Sequence, residues 1–235
     1  RDLAAETVAI ADGIAAFSPG VAWINHATLV GLATDVPDAE LDRLEAFYRE
    51  RGVPSKVELT ILATEPFLAQ LAARRYTTEH YETVFARDLT PGEDPFAAMP
   101  HKLPAGLEIV RTDPADDAAC REHAILVNKG FIPDPIPEEH IQIAMRAIQH
   151  PRSAAFLARL DGQPVGACGM EVFEHEGDRL CALWGTTVLE PYRRRGIQLA
   201  LIAKRLAHGL DQGCCAAVIE SKPGIPTERN AARLG

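Results

Sequence analysis

The sequence lacks the features that mark membrane, secreted and nucleic-acid-binding proteins. No uninterrupted apolar run approaches the roughly 20 residues of a membrane span, and residues 1–6 mix charges without the apolar core of a secretory signal. Basic residues are outnumbered, 24 Lys and Arg against 33 Asp and Glu, which gives a net charge of −9. This balance argues against bulk attraction to nucleic acid or to an anionic membrane, although a local basic patch is compatible with it. We therefore expect a cytoplasmic protein with neither of these as a partner.

Cysteine is sparse and shows no metal-binding spacing. The five cysteines form an odd count without a CxxC pair, and four of them lie in apolar stretches. They are Cys120, Cys168, Cys181, Cys214 and Cys215. This pattern predicts buried, reduced thiols in a cytoplasmic protein and no metal site.

The chain is long enough for one large domain or two small ones. It has 235 residues, of which 47% are hydrophobic, so it contains enough apolar material for a sizeable core. The stretch 88–104 (DLTPGEDPFAAMPHKLP) carries four prolines and no sustained period, and it reads as a connecting segment. We predict a first domain over residues 1–95, a linker over 96–105 and a second domain over 106–235.

The second part has the pattern of an α/β domain. Its elements are predicted in the order β-α-α-β-β-β-α-β-α, which is typical of a mixed sheet. Asp161-Gly162 predicts a tight hairpin turn, and apolar residues from Leu199 to Leu210 follow helical spacing. Pro226 is predicted to open the last helix.

The first part repeats the tail of that order. Residues 52–75 and 213–233 each read as glycine, apolar strand, proline-started helix and then Ala-Arg, which we interpret as an internal repeat. The pattern predicts one long or two short strands over 21–32, a helix over 37–51, a strand over 57–62, a helix that starts at Pro66 and a final strand over 81–89.

The segment 192–198 (YRRRGIQ) carries the clearest chemical signal. It lies between a nearly continuous apolar strand and an amphipathic helix, where the first amides of the helix have no acceptor within the helix. Gly196 lets an anion approach the backbone, and three consecutive arginines add positive charge. A basic turn that only caps a helix is the alternative. The missing Gly-Lys-Ser/Thr excludes a P-loop, and the missing second and third glycines exclude the Rossmann fingerprint.

These residues resemble a known motif. Strand 180–189 followed by Tyr192 and Arg193-x-x-Gly196-x-Gln198 is similar to the acetyl-CoA motif of the GNAT superfamily of N-acetyltransferases, Arg/Gln-x-x-Gly-x-Gly/Ala at the start of the central helix. The resemblance extends over 107–235 in element order. It implies a GNAT fold, a mixed and mostly antiparallel sheet flanked by helices, preceded in the first part by a partial GNAT-like α/β repeat. It also implies acetyl-CoA as the cosubstrate, without a metal. The residues it implies for binding acetyl-CoA are Thr187, Val188, Leu189, Arg193, Arg194, Arg195, Gly196, Ile197, Gln198 and Asn230.

The sequence departs from the family pattern in three places. Gln198 stands where the motif has a small residue, and the position of the tyrosine that often acts as general acid falls on Ala231. The resemblance further implies a strand pair after the Leu234-Gly235 ending, so we expect the C-terminal strands of the domain to be missing from this sequence.

Several side chains are candidates for the general base of an acetyl transfer. Glu220 ends a predicted strand and Glu171 lies on one, which makes them the two leading candidates. The turn residues Glu174, His175 and Glu176 and the helical His123 and His140 are weaker candidates, and deprotonation through water would leave no trace in the sequence. A covalent route through Cys214-Cys215 is disfavoured, because buried thiols have a raised pKa.

The resemblance implies an N-acyltransferase that moves an acetyl group from acetyl-CoA to a primary amine of a small molecule, amino acid, peptide or protein. Residues 131–139 and 174–178 are the loops expected to line the acceptor cleft. The turn 34–40 of the first part is acidic where the second part has three arginines, so we expect only one cofactor site per chain. A non-catalytic acyl-CoA-binding module and a site for another phosphorylated ligand remain the alternatives. The oligomeric state is open between monomer and homodimer.

Overall fold

The protein divides into two compact units. The computed structural model describes residues 3–33, 35–99 and 102–235. Chain contacts divide it after Glu79, into unit 1 (residues up to Glu79) and unit 2 (His80–Gly235). This division differs from the expected boundary at residue 95. The strand expected over 81–89 pairs with the sheet of unit 2, so it is not part of the first unit.

Unit 1 combines a small antiparallel sheet with two helices. Its elements are β1 (Glu6–Ile10), β2 (Gly13–Phe17), β3 (Ala27–Thr28), α1 (Asp38–Glu50) and α2 (Glu65–Ala73). The strands pair in the order β1-β2-β3. Buried Leu41 and Leu44 of α1 and Phe67 of α2 form the core beneath this sheet. Pro37 is the N-cap of α1 and Pro66 lies in the first turn of α2, close to the expected helix starts.

Two strand expectations for unit 1 are corrected. Residues 21–32 are mostly turns, and the main hairpin lies earlier, around Ala11-Asp12 between β1 and β2. In the stretch 57–62, Val57 makes one parallel bridge to Ala27 and the chain then turns. The Thr60 hydroxyl accepts a hydrogen bond from the Leu62 N–H, and the Thr60 carbonyl accepts one from the Ala63 N–H. This turn ends the extended segment and leaves Ile61 fully exposed.

Unit 2 is built on a six-stranded sheet. Its elements are β4 (Thr83–Asp88), β5 (Leu107–Arg111), α3 (Asp117–Asn128), α4 (Glu138–Gln149), β6 (Ser153–Leu160), β7 (Gln163–His175), β8 (Asp178–Val188), α5 (Ile197–Asp211), β9 (Ala216–Ser221) and α6 (Pro226–Arg233). The strand order is β4-β9-β8-β7-β6-β5. The β8–β9 pair is parallel and the other four pairs are antiparallel. The predicted α/β class with a mixed, mostly antiparallel sheet is confirmed.

Helices cover both faces of this sheet. Alternate residues of β6 face opposite sides: Phe156 packs into the cluster that contains α5, whereas Ala155 packs against α3 and α4. On α5 the residues Leu199, Ile202 and Leu206 are buried in the first of these clusters. The near-continuous apolar composition of β6 follows from this burial on both faces.

The pairing of β4 with β9 predicts where the chain can be cut. A fragment of residues 80–235 keeps β4 and is expected to be soluble and to melt cooperatively. A fragment of residues 96–235 removes β4 and leaves β9 as an unpaired edge, with Phe85 no longer packed on the core. We expect this shorter fragment to aggregate or to melt at a clearly lower temperature in circular dichroism. Equal melting of the two fragments would contradict the placement of β4 in unit 2.

Candidate functional site

Strands β8 and β9 separate partway along the sheet. They pair in parallel from Leu180↔Ala216 to Leu183↔Ile219, after which β8 continues to Val188 without β9 beside it. We call the gap between residues 184–188 and residues 220–221 the opening. Glu220 is the first residue of β9 after the last paired position, so it lies at the base of the opening.

One backbone amide of β8 points into the opening. The Leu189 N–H donates to Val165 O at 2.9 Å, on the side of β7. Successive amides of a strand point to opposite sides, so the Val188 N–H points away from β7 toward the opening. The carbonyl of Val188 accepts a hydrogen bond from Arg193 Nε at 3.0 Å. Arg193 therefore holds the end of β8 in addition to supplying charge.

The arginine loop, residues 192–198, leads from β8 into the N-terminus of α5. Arg194 and Gly196 both have positive φ, 61° and 78°, and Gly196 is the N-cap of the helix. Within the described residues, no side chain caps α5 and no acidic residue occupies its first turn. The side chain of Arg195 is exposed and reaches Pro191 O at 3.3 Å. Uncapped amides, a helix dipole and nearby arginines together form a site suited to a phosphate group.

Gln198, the residue that departs from the family motif, joins α5 to α6. Its Nε2 donates to Thr227 Oγ1 at 2.9 Å, and its Oε1 accepts from Asn230 Nδ2 at 2.8 Å. Arg233 in turn donates to Asn230 Oδ1. The long side chain therefore has a structural role, and it leaves the first-turn amides of α5 uncovered.

A cavity of about 260 Å³ lies next to the end of β8. It is lined by residues 187–190 and Arg193, and also by Lys129 and the loop residues Ile132 to Asp134. Thr187 Oγ1 donates to Val127 O at 2.7 Å. The loop after α3, expected to line an acceptor cleft, is thus in contact with the same cavity as the end of β8.

Comparison with known proteins decides the family. A sequence model of the acetyltransferase (GNAT) family matches residues 120–234. Residues 120–234 are therefore a GNAT acetyltransferase domain. No curated protein matches the sequence.

Two solved GNAT structures are similar to the whole chain. A GCN5-related N-acetyltransferase from Kribbella flavida matches over 95% of this chain and 82% of its own, at 16% identity and a TM-score of 0.65. A tandem GNAT protein from the clavulanic acid biosynthesis pathway matches over 95% of this chain and 74% of its own, at 18% identity and a TM-score of 0.66. At these identities the likeness concerns the fold, and it extends over both units.

Some predicted residues of the GNAT domain lie away from the opening. Glu171 pairs with Ala182 across β7 and β8, roughly 20 Å along the strand from Val188. It forms an ion pair with Arg152 at 2.7 Å. The turn expected over 174–178 joins β7 to the start of β8, at the far end of the strand from the opening. Its carboxylate Glu174 pairs with Arg179 at 2.8 Å. This turn therefore lies away from the opening, whereas Glu220 lies at its base.

The histidine and cysteine candidates are mostly buried. His123 is fully buried on α3 with Nδ1 2.9 Å from Thr112 Oγ1, and burial lowers its pKa to about 4. Cys120, Cys168, Cys181 and Cys214 are buried, as predicted, whereas Cys215 is exposed. Burial raises the pKa of the Cys214 thiol, which disfavours a covalent route through it.

Neither a metal cluster nor a membrane span is found in the described part of the chain. No group of three or more His, Cys, Asp or Glu side chains among those residues is arranged to hold a metal ion. No helix there is long and apolar enough to cross a bilayer.

Proposed function

We propose that this protein is an N-acetyltransferase that transfers the acetyl group of acetyl-CoA to a primary amine. The observation that carries the proposal is the proximity of two features on consecutive elements. One is an outward-facing amide at the end of β8, and the other is an uncapped helix N-terminus at the start of α5. A phosphate-bearing thioester needs both, one for its carbonyl and one for its pyrophosphate.

The arginine loop fits the pyrophosphate of acetyl-CoA. The backbone from Arg194 to Gln198 supplies N–H donors at the positive end of the α5 dipole, and Arg195 supplies an exposed cation. Gly196 adopts a φ of 78° that a residue with a side chain would resist, so the loop depends on glycine. We place Ile197 in the same first turn, and we assign Asn230 to the wall of the site through its bond to Gln198.

The end of β8 fits the reacting carbonyl. When bound, acetyl-CoA supplies the acetyl group as a thioester. We assign the Val188 N–H as the hydrogen-bond donor to the carbonyl oxygen, where negative charge develops during attack, with Thr187 and Leu189 fixing its direction. The amine nitrogen forms a bond to the carbonyl carbon, the carbon–sulfur bond breaks, and the proton lost by the amine balances the CoA thiolate.

Deprotonation of the amine is assigned to Glu220, directly or through water. Glu220 lies at the base of the opening, and its side chain is on the face of β9 opposite to the buried Ile219. Glu171 is no longer favoured, because its ion pair with Arg152 and its place along β7 separate it from Val188.

The acceptor is proposed to be a cationic amine. The cavity beside β8 is lined by acidic Asp134 and Glu190 and by apolar Ile132 and Pro133, and also by basic Lys129 and Arg193. We infer that the two acids bind an ammonium group next to an apolar segment, as found in small-molecule amines, amino acids and peptides, while the two cations offset part of the acidic charge.

The experiment is an acetyl-CoA assay of the full chain with a panel of amines. The panel contains polyamines, aminoglycosides, amino acids and peptides, and thiol release is corrected for hydrolysis. Turnover that depends on the amine supports the proposal. The second candidate, a non-catalytic acyl-CoA-binding module, is favoured by Ala231, which stands where the family often has a tyrosine acid. Calorimetric binding of acetyl-CoA without turnover of any amine would select it. Absence of acetyl-CoA binding would overturn both.

We also predict a single CoA site per chain. In unit 1 the first turn of α1 carries Asp38 and Glu40, where α5 has no acid. The Ala11 N–H donates to Glu40 at 2.8 Å, and this bond, with that from Arg43, lowers the pKa of Glu40 and keeps it charged. Asp35 adds a further negative charge, while Thr34 of the predicted turn lies outside the described residues. A pyrophosphate would face these carboxylates.

Titration calorimetry of the full chain with CoA is expected to give a stoichiometry of one. In a control titration, the Arg195→Glu variant should bind CoA more weakly at that single site, without revealing a second one. Binding of two CoA molecules per chain would contradict the prediction that the carboxylates at the start of α1 exclude a pyrophosphate.

A further inference from the structure

Arg205 is a charged side chain buried in the core of unit 2. It lies on α5 with 0% exposure, on the same face as the buried Leu201 and Ile197, which lie one and two turns earlier. Its Nε donates to Leu201 O at 3.1 Å, and its Nη1 to Gly169 O at 3.0 Å and Trp184 O at 3.3 Å. Its Nη2 donates to Thr186 Oγ1 at 2.7 Å. All four acceptors are neutral oxygens, so burial of this charge is not compensated by an anion and costs desolvation free energy that a buried leucine would not.

Three of these acceptors surround an irregularity in β8. The pairing of β7 with β8 passes from Gly169↔Trp184 to Ala167↔Thr187, so β8 contains one more residue than β7 over this interval. The extra residue makes a β-bulge, and Gly185 takes a φ of 61° there. Because a bulge shifts the alternation of side chains by one, Thr186 faces α5 and reaches Arg205.

The other face of the sheet holds the same bulge by close packing. A Cβ on Gly169 would lie 2.2 Å from the ring of Trp184, and one on Gly185 would lie 3.0 Å from Val127 of α3. The ring of Trp184 packs against the α3–α4 cluster. The bulge is therefore fixed by packing on one face and by the guanidinium of Arg205 on the other.

The bulge determines which way the last residues of β8 point. Val188 follows Gly185 by three positions, so the direction of its N–H depends on how the extra residue is accommodated. A planar guanidinium that bonds both edges of the bulge restricts that geometry more than a lysine ammonium could. We propose that Arg205 is a positioning residue for acetyl transfer, which fixes the β8 bulge and thereby directs the Val188 N–H at the thioester carbonyl. This inference rests on the proposed function.

The test compares Arg205→Lys and Thr186→Val with a control, Ile202→Val, which loosens the same helix in the core without touching the bulge. Thr186→Val keeps the shape of the side chain and removes one bond of Arg205, so it remains informative if Arg205→Lys fails to fold. We expect both variants to lower kcat at least tenfold, with the KM for acetyl-CoA and the Kd for CoA within twofold. We expect the control to leave kcat within twofold at a similar melting temperature.

Amide NMR supplies a readout that a purely structural role would not move. In the unchanged protein, the shift of the Val188 amide is expected to differ between the acetyl-CoA and CoA complexes, because only the former carries the carbonyl. This difference should shrink in both variants, while the shift of the Gly196 amide on CoA binding is retained. An unchanged Val188 difference, or an equal loss of kcat in the control, overturns the role of Arg205. Absence of any Gly196 shift in the unchanged protein overturns the proposed function instead.

Discussion

Replacing Val188 by proline is expected to lower kcat by about 10²–10³-fold, the effect of removing one preorganised donor to a developing oxyanion. Proline lacks the N–H that points into the opening, and that amide takes no part in the pairing with β7. The strand should therefore keep its hydrogen bonds. The Kd for CoA should stay within twofold, because CoA lacks the acetyl carbonyl. Steady-state kinetics and calorimetry measure the two quantities.

The adjacent residue provides the matched control. The Leu189 N–H donates to Val165 O, so Leu189→Pro removes a bond of the sheet and should mainly lower the melting temperature. Val188 is also buried in the core, and a backbone ester at this position keeps the side chain while it removes only the N–H. If the ester variant retains full kcat, the carbonyl is held elsewhere.

Local signals in the sequence were sufficient for most of unit 2. Proline at Pro226, the Asp161-Gly162 turn and the apolar spacing of α5 predicted elements that the structure contains within a few residues. Unit 1 carries a signal of the same kind. Asp12-Gly13 between two alternating stretches indicates a hairpin, and it lies where β1 and β2 meet.

Pairing between distant strands could not be derived from the pattern. The stretch 81–89 has the pattern of a strand, yet nothing local indicates that its partner is β9, more than 120 residues later, so the pattern alone does not place this strand in unit 2. For the same reason Glu171 and Glu220 looked equivalent as candidate bases. Only the register places one beside Arg152 and the other at the opening.

The candidate site was predictable where chemistry is local in sequence. The arginine loop and the end of β8 are consecutive, so their residues were found together. Arg205 was missed, although a cation in line with Ile197 and Leu201 at i+4 spacing marks a charge on a buried face of α5. The bulge it binds has no sequence signature apart from Gly185, because a bulge is defined by the strand opposite.

Reversing the charge of Arg195 is expected to weaken the binding of acetyl-CoA by about 1.5–3 kcal/mol, the range of a hydrogen bond to a charged group. That range corresponds to about 10–150-fold in Kd. Arg195 is exposed beside the uncapped start of α5, with its guanidinium 5.7 Å from the centroid of the Tyr192 ring. Its bond to Pro191 O is long, at 3.3 Å, and can be exchanged for one to a pyrophosphate, whereas Arg193 Nε is held at 3.0 Å by Val188 O. Arg195→Glu also places a carboxylate where the helix dipole would otherwise favour the ligand.

The matched control for this variant is Arg146→Glu, an exposed position on α4 that changes the net charge by the same amount. If the weaker binding by Arg195→Glu came from net charge alone, both variants would show the same increase in the Kd for acetyl-CoA in calorimetry. If Arg195 instead contacts the ligand directly, the Kd of Arg146→Glu for acetyl-CoA should stay within about twofold of that of the unchanged protein. Raising the salt concentration should reduce the difference in Kd between the two variants, because screening weakens the repulsion between an exposed carboxylate and the pyrophosphate. Unchanged affinity in Arg195→Glu at low salt would move the pyrophosphate site away from the start of α5.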